Sequence, residues 1–145
     1  MSTLYVGGYF TIIGGQQRNS LAALDKTTAN ATAWDPNPNF SLGGAVVHAL
    51  AISGSTVFVG GEMDMMNGVN RNHLAAIDLT TGKATSWDPN ALDGAVNALV
   101  LSGSTLYAGG VFTVIGGQAH SRVAALDATT GAPLAWTPDG CNLPV

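Results

Sequence analysis

The stretch Leu106-Tyr107-Ala108-Gly109-Gly110 occurs three times in this chain in nearly the same form. The earlier copies are Leu4-Tyr5-Val6-Gly7-Gly8 and Val57-Phe58-Val59-Gly60-Gly61, so the first glycines lie 53 and then 49 residues apart. An aspartate and a tryptophan keep the same spacing, at Asp25, Asp78 and Asp127 and at Trp34, Trp87 and Trp136. Self-similarity at a fixed period is the signature of a repeat protein. The chain is therefore predicted to contain three equivalent structural units.

The three units are predicted to form one segment over residues 1–145, divided at about 2–46, 47–95 and 96–145. The longer first period is explained by a loop insertion at 38–44, which stacked repeats tolerate. Ser2-Thr3 aligns with Ser55-Thr56, so unit 1 is expected to lack its first strand. Val145 aligns with Val96, where another first strand would begin.

Each complete unit is predicted to contain four antiparallel strands, A to D, because short apolar runs alternate with Gly-containing turns and no helical period is sustained. The aspartates precede Thr-containing turns, where Asx bonding and a residue of positive φ close the hairpin. Asn30 is expected to take that left-handed position in unit 1. The predicted strands are 47–52 and 96–101 (A), 4–8, 57–61 and 106–110 (B), 21–25, 74–78 and 123–127 (C), and 31–34, 84–87 and 133–136 (D).

A four-stranded unit of this size is typical of one blade of a β-propeller, with the recurring tryptophan packed between blades. Three blades do not close a ring, whereas two chains give six blades under a two-fold axis. The sequence therefore predicts an all-β half-propeller that closes as a homodimer. The tail Cys141–Val145 is expected to reach across the junction and fill part of the missing strand A.

Three phrases carry a family resemblance: Gly109-Gly110-Val111-Phe112-Thr113, Leu126-Asp127-Ala128-Thr129-Thr130-Gly131 and Trp87-Asp88-Pro89-Asn90. They resemble bacterial β-propeller repeats of uncharacterised function, with Met63-Asp64-Met65-Met66 as a departure in unit 2. The second phrase is also distantly similar to quinoprotein dehydrogenase blades, which implies a pyrroloquinoline quinone and a calcium site. No ligands for these groups can be placed in this chain, so neither a cofactor nor an enzymatic activity is predicted.

Composition argues against several partners. A net charge of −4 with five Lys plus Arg cannot neutralise a row of phosphates or hold an anionic membrane, so neither nucleic acid nor membrane is expected. The single cysteine, Cys141, allows no intrachain disulfide. Neither a transmembrane run nor a signal peptide is recognisable, which leaves the compartment open, including an extracytoplasmic one if the chain is a fragment.

The recurring polar residues do not assemble a predicted catalytic or metal site. His48, His73 and His120 occupy three different positions of the repeat, so a structural or solvent role is favoured over metal binding. The recurring aspartates are explained locally by their turns rather than by a ring of carboxylates. No nucleophile with an adjacent base is evident.

The B-to-C loops are the best candidate binding sites, because they bring amide, guanidinium and imidazole groups to one rim. One hypothesis is that they bind a sugar or a peptide; the other is that they only tie each loop to its neighbours. A non-catalytic scaffold or interaction module is favoured, ahead of a carbohydrate-binding lectin and a quinoprotein-like enzyme remnant. The candidate rim residues are Gln17, Arg18, Asn19, Asn70, Arg71, Asn72, Gln118 and His120.

Overall fold

The computed structural model describes residues 2–138, which form fifteen short β-strands and no helix. The prediction of an all-β fold is confirmed. Among these residues no helix has the length and hydropathy needed to cross a bilayer. The predicted tail Cys141–Val145 lies outside the described residues.

The fifteen strands are assigned in chain order to the three predicted units. Unit 1 contains β1 (Thr3–Gly7), β2 (Ile12–Ile13), β3 (Gln16–Gln17), β4 (Leu21–Asp25) and β5 (Pro38–Asn39). Unit 2 contains β6 (Val46–Ser53), β7 (Thr56–Glu62), β8 (Met65–Met66), β9 (Val69–Asn70) and β10 (Leu74–Asp78). Unit 3 contains β11 (Val96–Ser102), β12 (Thr105–Gly110), β13 (Val114–Ile115), β14 (Gln118–Ala119) and β15 (Val123–Asp127).

The main sheets are antiparallel and share one register. Unit 2 has the order β6-β7-β10 and unit 3 has the order β11-β12-β15, whereas unit 1 has only β1-β4. In each unit the Thr that opens strand B pairs with the recurring Asp, as in Thr56↔Asp78. A bulge interrupts β6 after Val47 and β11 after Val96, at the glycine pair of the neighbouring strand.

The predicted fourth strand is present only as one isolated bridge in each unit, Leu24↔Ala31, Ile77↔Ala84 and Leu126↔Pro133. The prediction of four full strands per unit is therefore wrong for the described residues. After the bridge, the N–H of Trp34 donates to Thr32 Oγ1 and that of Trp87 to Thr85 Oγ1, both at 3.3 Å, whereas that of Trp136 donates to Leu134 O at 2.8 Å. In each unit the tryptophan N–H thus bonds locally and not to the neighbouring strand.

Two turn details also differ from the sequence interpretation. The left-handed residue of the first C-to-D turn is Ala29, with φ of 60°, and not Asn30. Ala29 is equivalent to Gly82 and Gly131, which have φ of 73° and 78°. The B-to-C loops are not simple loops, because each contains a small hairpin, β2-β3, β8-β9 or β13-β14.

The core lies between the units. One cluster joins Leu21, Ala23 and Trp34 of unit 1 to Val57, Val59 and Ile77 of unit 2. The second joins Phe58, Ala76 and Trp87 of unit 2 to Leu106, Ala108 and Leu126 of unit 3. Because side chains alternate along a strand, each central sheet presents one apolar face to the unit before it and one to the unit after it.

Candidate functional site

The rim arginines are used within their own units. Arg18 Nη2 donates to the carbonyl of Thr32 at 2.7 Å, and Nη1 donates to Gln17 O at 2.7 Å. Nη1 also lies 3.8 Å from Asp35 Oδ2, and the arginine side chain is 13% exposed. These contacts fix the B-to-C loop to the start of segment D.

Unit 2 repeats this arrangement. Arg71 donates to Thr85 O and Asn70 O, both at 2.6 Å, and lies 3.6 Å from Asp88 Oδ2. The two guanidinium groups therefore fasten the loops, as the second sequence hypothesis requires. They have little exposed surface for a ligand.

The neighbouring amides form a second tie on the rim. Asn19 Nδ2 donates to Asn37 Oδ1 at 2.6 Å, and Asn72 Nδ2 donates to Asn90 Oδ1 at 2.8 Å. Asn37 and Asn90 are left-handed, with φ of 47° and 54°, a conformation that asparagine tolerates. In unit 1 these groups border a polar cleft of about 200 Å³ that Gln17, Asn19, Asp35 and Asn37 line.

Unit 3 does not reproduce the rim set. His120 takes the place of the arginine and is buried, and Gln118 lies exposed on β14. Arg122 instead donates to Val111 O at 2.9 Å. The candidate rim residues therefore lie on equivalent loops but do not form three identical sites.

The recurring aspartates hold the C-to-D turns. Asp25 Oδ1 accepts the backbone N–H groups of Thr27 at 2.8 Å and Thr28 at 2.9 Å. Asp78 and Asp127 accept the equivalent pairs of N–H groups. The hydrogen bonds from Thr28 and then Thr27 lower the pKa of Asp25, and the equivalent threonines lower the pKa of Asp78 and Asp127.

The histidines are not gathered at one site. His48 Nε2 lies 3.3 Å from Glu62 Oε1, and His73 Nδ1 lies 3.2 Å from Gly61 O. His120 is on the rim of unit 3. Within residues 2–138, no group of three or more His, Cys, Asp or Glu side chains is arranged to hold a metal ion.

Two carboxylates link successive units, a feature that sequence reasoning did not find. Asp64 Oδ2 of unit 2 accepts the N–H of Ser41 at 2.9 Å, and hydrogen bonding from the Ser41 side chain and then from this N–H lowers the pKa of Asp64. Asp93 accepts the hydroxyl and the N–H of Thr113 in unit 3, and these two bonds, the hydroxyl first, lower the pKa of Asp93. Asp64 and Thr113 are equivalent positions of the repeat. That alignment was the signal that could have identified the contact.

Trp34 and Trp87 make equivalent polar contacts between successive units. Trp34 Nε1 donates to Asp78 O at 3.0 Å, and Trp87 Nε1 donates to Asp127 O at 3.1 Å. Each indole thus rests on the C-to-D turn of the following unit. Trp34 is 8% exposed and Trp87 is 6% exposed, whereas Trp136 is 43% exposed.

The end of unit 3 therefore presents an uncovered apolar surface, which we call the Trp136 face and define as Val100, Tyr107 and Trp136. Tyr107 packs edge-on to Trp136 with ring centroids 5.2 Å apart, as Phe58 packs on Trp87 at 4.8 Å. Val100 is 62% exposed, whereas its equivalent Ala51 packs against the core between units 2 and 3. This face is half of a junction between units.

Unit 1 presents the other half, the Leu4 face, defined as Leu4, Val6 and Leu24. Leu4 is 51% exposed, whereas its equivalents Val57 and Leu106 are 0% exposed. Those two residues are covered by the unit that precedes them, as their core clusters show. The two ends of the described chain therefore carry complementary halves of one apolar contact.

Comparison with known proteins supports the fold only. No family model and no curated protein matches the chain. A solved structure, the computationally designed Ika8 protein, is similar to it with a TM-score of 0.50 and 16% sequence identity. The match covers 92% of this chain and 45% of the designed chain, so the chain spans less than half the length of that structure.

Proposed function

We propose that this chain is a non-catalytic assembly module: half of a six-bladed β-propeller that closes as a homodimer and acts as a scaffold. One observation carries the proposal, namely the complementary exposure of the Leu4 face and the Trp136 face. Leu4 is 51% exposed where Val57 and Leu106 are fully buried, and Trp136 is 43% exposed where Trp34 and Trp87 are below one tenth.

A second copy of the chain supplies the missing half at each end. The indole of Trp136 in one copy takes the place on the Asp25 turn of the other copy that Trp87 takes on the Asp127 turn. Leu4 then lies under Trp136 and Tyr107, as Leu106 lies in one cluster with Trp87 and Phe58. A two-fold axis makes both junctions equal, so the pair closes and no apolar end remains.

The number of blades is compatible with this arrangement. Propellers have typically four to eight blades, and two three-unit chains fall within this range.

The test is the solution mass of the purified chain by light scattering coupled to size exclusion. We expect twice the 14.7 kDa of one chain. Leu4→Asp places a charge on the Leu4 face and is expected to give a folded monomer. Leu42→Asp is the matched control, because Leu42 is 88% exposed and lies in the loop between units 1 and 2, outside both faces. A stable wild-type monomer contradicts the proposal.

The rival functions draw less support from the contacts. A carbohydrate-binding role needs free donors on the rim, but both rim guanidinium groups are bonded to carbonyls of their own unit. Binding to a glycan array at high protein concentration would favour the lectin. Turnover after addition of the quinone and calcium would favour the enzyme remnant and overturn a non-catalytic role.

A further inference from the structure

The first strand of the chain has a neighbour on only one side. Among residues 2–138, β1 pairs with β4 and with no other strand, whereas β7 and β12 pair on both sides. Their second partners are β6 and β11, which pair with them antiparallel. The pairing begins at Ser53↔Thr56 in unit 2 and at Ser102↔Thr105 in unit 3. The equivalent edge of β1 is unpaired in the part of the chain that the structure describes.

The hydrogen-bonding groups on this edge can be assigned from alternation along the strand. Ser2 O accepts the N–H of Lys26 at 2.9 Å, and the N–H of Gly8 donates to Ser20 O at 3.0 Å, so even-numbered residues of β1 bond toward β4. Thr3, Tyr5 and Gly7 therefore direct their N–H and C=O groups away from β4. Their equivalents in unit 3 are Thr105, Tyr107 and Gly109, which pair with Ser102, Val100 and Ala98.

Burial at the edge agrees with a missing neighbour. Gly7 is exposed, whereas Gly60 and Gly109 are buried beside β6 and β11. Val6 belongs to the Leu4 face and is only partly buried, whereas its equivalents Val59 and Ala108, which pair with Leu50 and Leu99 of strand A, are at most 1% exposed. Among residues 2–138 the edge thus has backbone groups without a strand partner, and an added strand would also flank Val6.

We propose that the free edge of β1 is a binding site for an extended apolar peptide segment that adds antiparallel as a strand. The segment fits when it has two large aliphatic residues separated by one small or β-branched residue. Both strands that occupy the equivalent edges have this pattern, Leu50-Ala51-Ile52 in β6 and Leu99-Val100-Leu101 in β11. Backbone bonds supply the affinity, and the alternate side chains supply the specificity.

The proposed site adjoins the Leu4 face. Leu99 pairs with Ala108 and Leu101 with Leu106, so the aliphatic residues of an added segment would lie beside Val6 and Leu4. The backbone bonds are made at the edge of the unit 1 sheet and need no second copy, so strand addition should occur on a monomer.

The experiment is a titration of the full chain with a labelled peptide of sequence 95–104, carrying two added lysines for solubility. Binding is followed by fluorescence anisotropy, and the bound state is examined by amide hydrogen exchange. We expect saturable binding and slower exchange at Thr3, Tyr5 and Gly7. Changing Leu99 and Leu101 of the peptide to Asp is expected to weaken binding at least about tenfold, since two buried leucines are lost.

Two blocked forms test the edge itself. Thr3→Pro removes one edge N–H at the start of the strand, where proline is tolerated, and is expected to weaken binding about tenfold. A peptide with Pro in place of Val100 removes the pairing with Tyr5 without changing the protein, so the test holds even if Thr3→Pro fails to fold. Equal affinity of the proline peptide, or no saturation up to about 1 mM, overturns the inference.

The outcome is separate from that of the proposed function. The same titration is repeated with Trp136→Ala, which removes one half of the proposed junction and leaves β1 unchanged. Peptide binding by a wild-type chain that is itself monomeric supports strand addition and contradicts the dimer. A dimeric wild-type chain whose monomeric Trp136→Ala variant does not bind the peptide contradicts strand addition and leaves the dimer standing.

Discussion

The turn at Ala29 offers the cleanest test of how the repeat is stabilised. Ala29 has φ of 60°, whereas the equivalent residues Gly82 and Gly131 are glycines with φ of 73° and 78°. A left-handed conformation costs an L-residue with a β-carbon roughly 1–2 kcal/mol. The opposing effect of the Ala29→Gly change is the greater freedom of glycine in the unfolded chain, about 0.5–1 kcal/mol.

The difference gives a net stabilisation of about 0.5–1 kcal/mol for Ala29→Gly. The side chain of Ala29 is exposed, so its removal leaves no cavity. The reverse change, Gly82→Ala, should destabilise by a similar amount, because Gly82 has φ of 73°; its new β-carbon would meet Asp35 N and Trp34 Cδ1 at 3.4 Å, which are ordinary contacts. The effect there comes from the backbone alone.

Urea unfolding followed by tryptophan fluorescence measures both changes. With a denaturant slope of about 1–3 kcal/mol/M, Ala29→Gly should raise the midpoint by a few tenths of a molar unit while the slope stays constant. Ala33→Gly is the matched control, because Ala33 is exposed and does not have a positive φ, so it should lose about 0.5–1 kcal/mol. A loss of stability in Ala29→Gly as large as in the control would refute the reasoning.

Three further predictions concern the junctions, the rim and pH. In the monomeric Leu4→Asp background, Trp87→Ala should cost about 3–5 kcal/mol of unfolding free energy, measured by urea titration. Trp136→Ala should cost clearly less in the same background, because Trp136 is 43% exposed. Equal losses would mean that Trp136 is covered in the monomer. Arg71→Ala should cost about 2 kcal/mol because it leaves Thr85 O without its charged donor, whereas Gln17→Ala on the exposed rim should change the midpoint little. Five carboxyl groups have lowered folded-state pKa values, namely Asp25, Asp64, Asp78, Asp93 and Asp127. The stability that these groups provide is therefore complete above the unfolded-state pKa near 3.8, and it is lost as pH falls through the lower folded-state values. The urea midpoint should accordingly stay level from about pH 7 to 5 and fall below about pH 4, and Asp93→Asn should make that fall shallower; a midpoint that rises on acidification contradicts the assignment.

The sequence was sufficient for the features that depend on local pattern. Strand C and the Asp-Thr-Thr turn are placed correctly because the apolar run and the Asx bond both lie within a few residues of one another. Segment D was predicted as a strand from its apolar residues. The N–H of each tryptophan bonds locally instead, to Thr32 Oγ1, Thr85 Oγ1 or Leu134 O, and a residue pattern gives no measure of that competition.

The candidate sites show the same limit. The spacing of Arg18 and Arg71 placed them on equivalent loops, but whether each guanidinium faces solvent or its own Thr carbonyl depends on three-dimensional packing. The exposure of Leu4 could not be read from the residue itself, because Val57 and Leu106 are equally apolar and fully buried. Only the packing of neighbouring units distinguishes these positions.

The contacts of Asp64 and Asp93 have a consequence for the order of the units. At the first junction the carboxylate belongs to the following unit and the donor is Ser41 of the preceding one; at the second junction the carboxylate of Asp93 belongs to the preceding unit and the donor is Thr113. If unit 2 were placed after another copy of unit 2, Asp93 would meet Asp64 and two negative charges would share one position. Like charges in contact are unfavourable. An arrangement in which unit 2 follows another copy of unit 2 is therefore disfavoured. The middle unit is best followed by a unit that offers a neutral hydrogen-bond donor to Asp93, as Thr113 does.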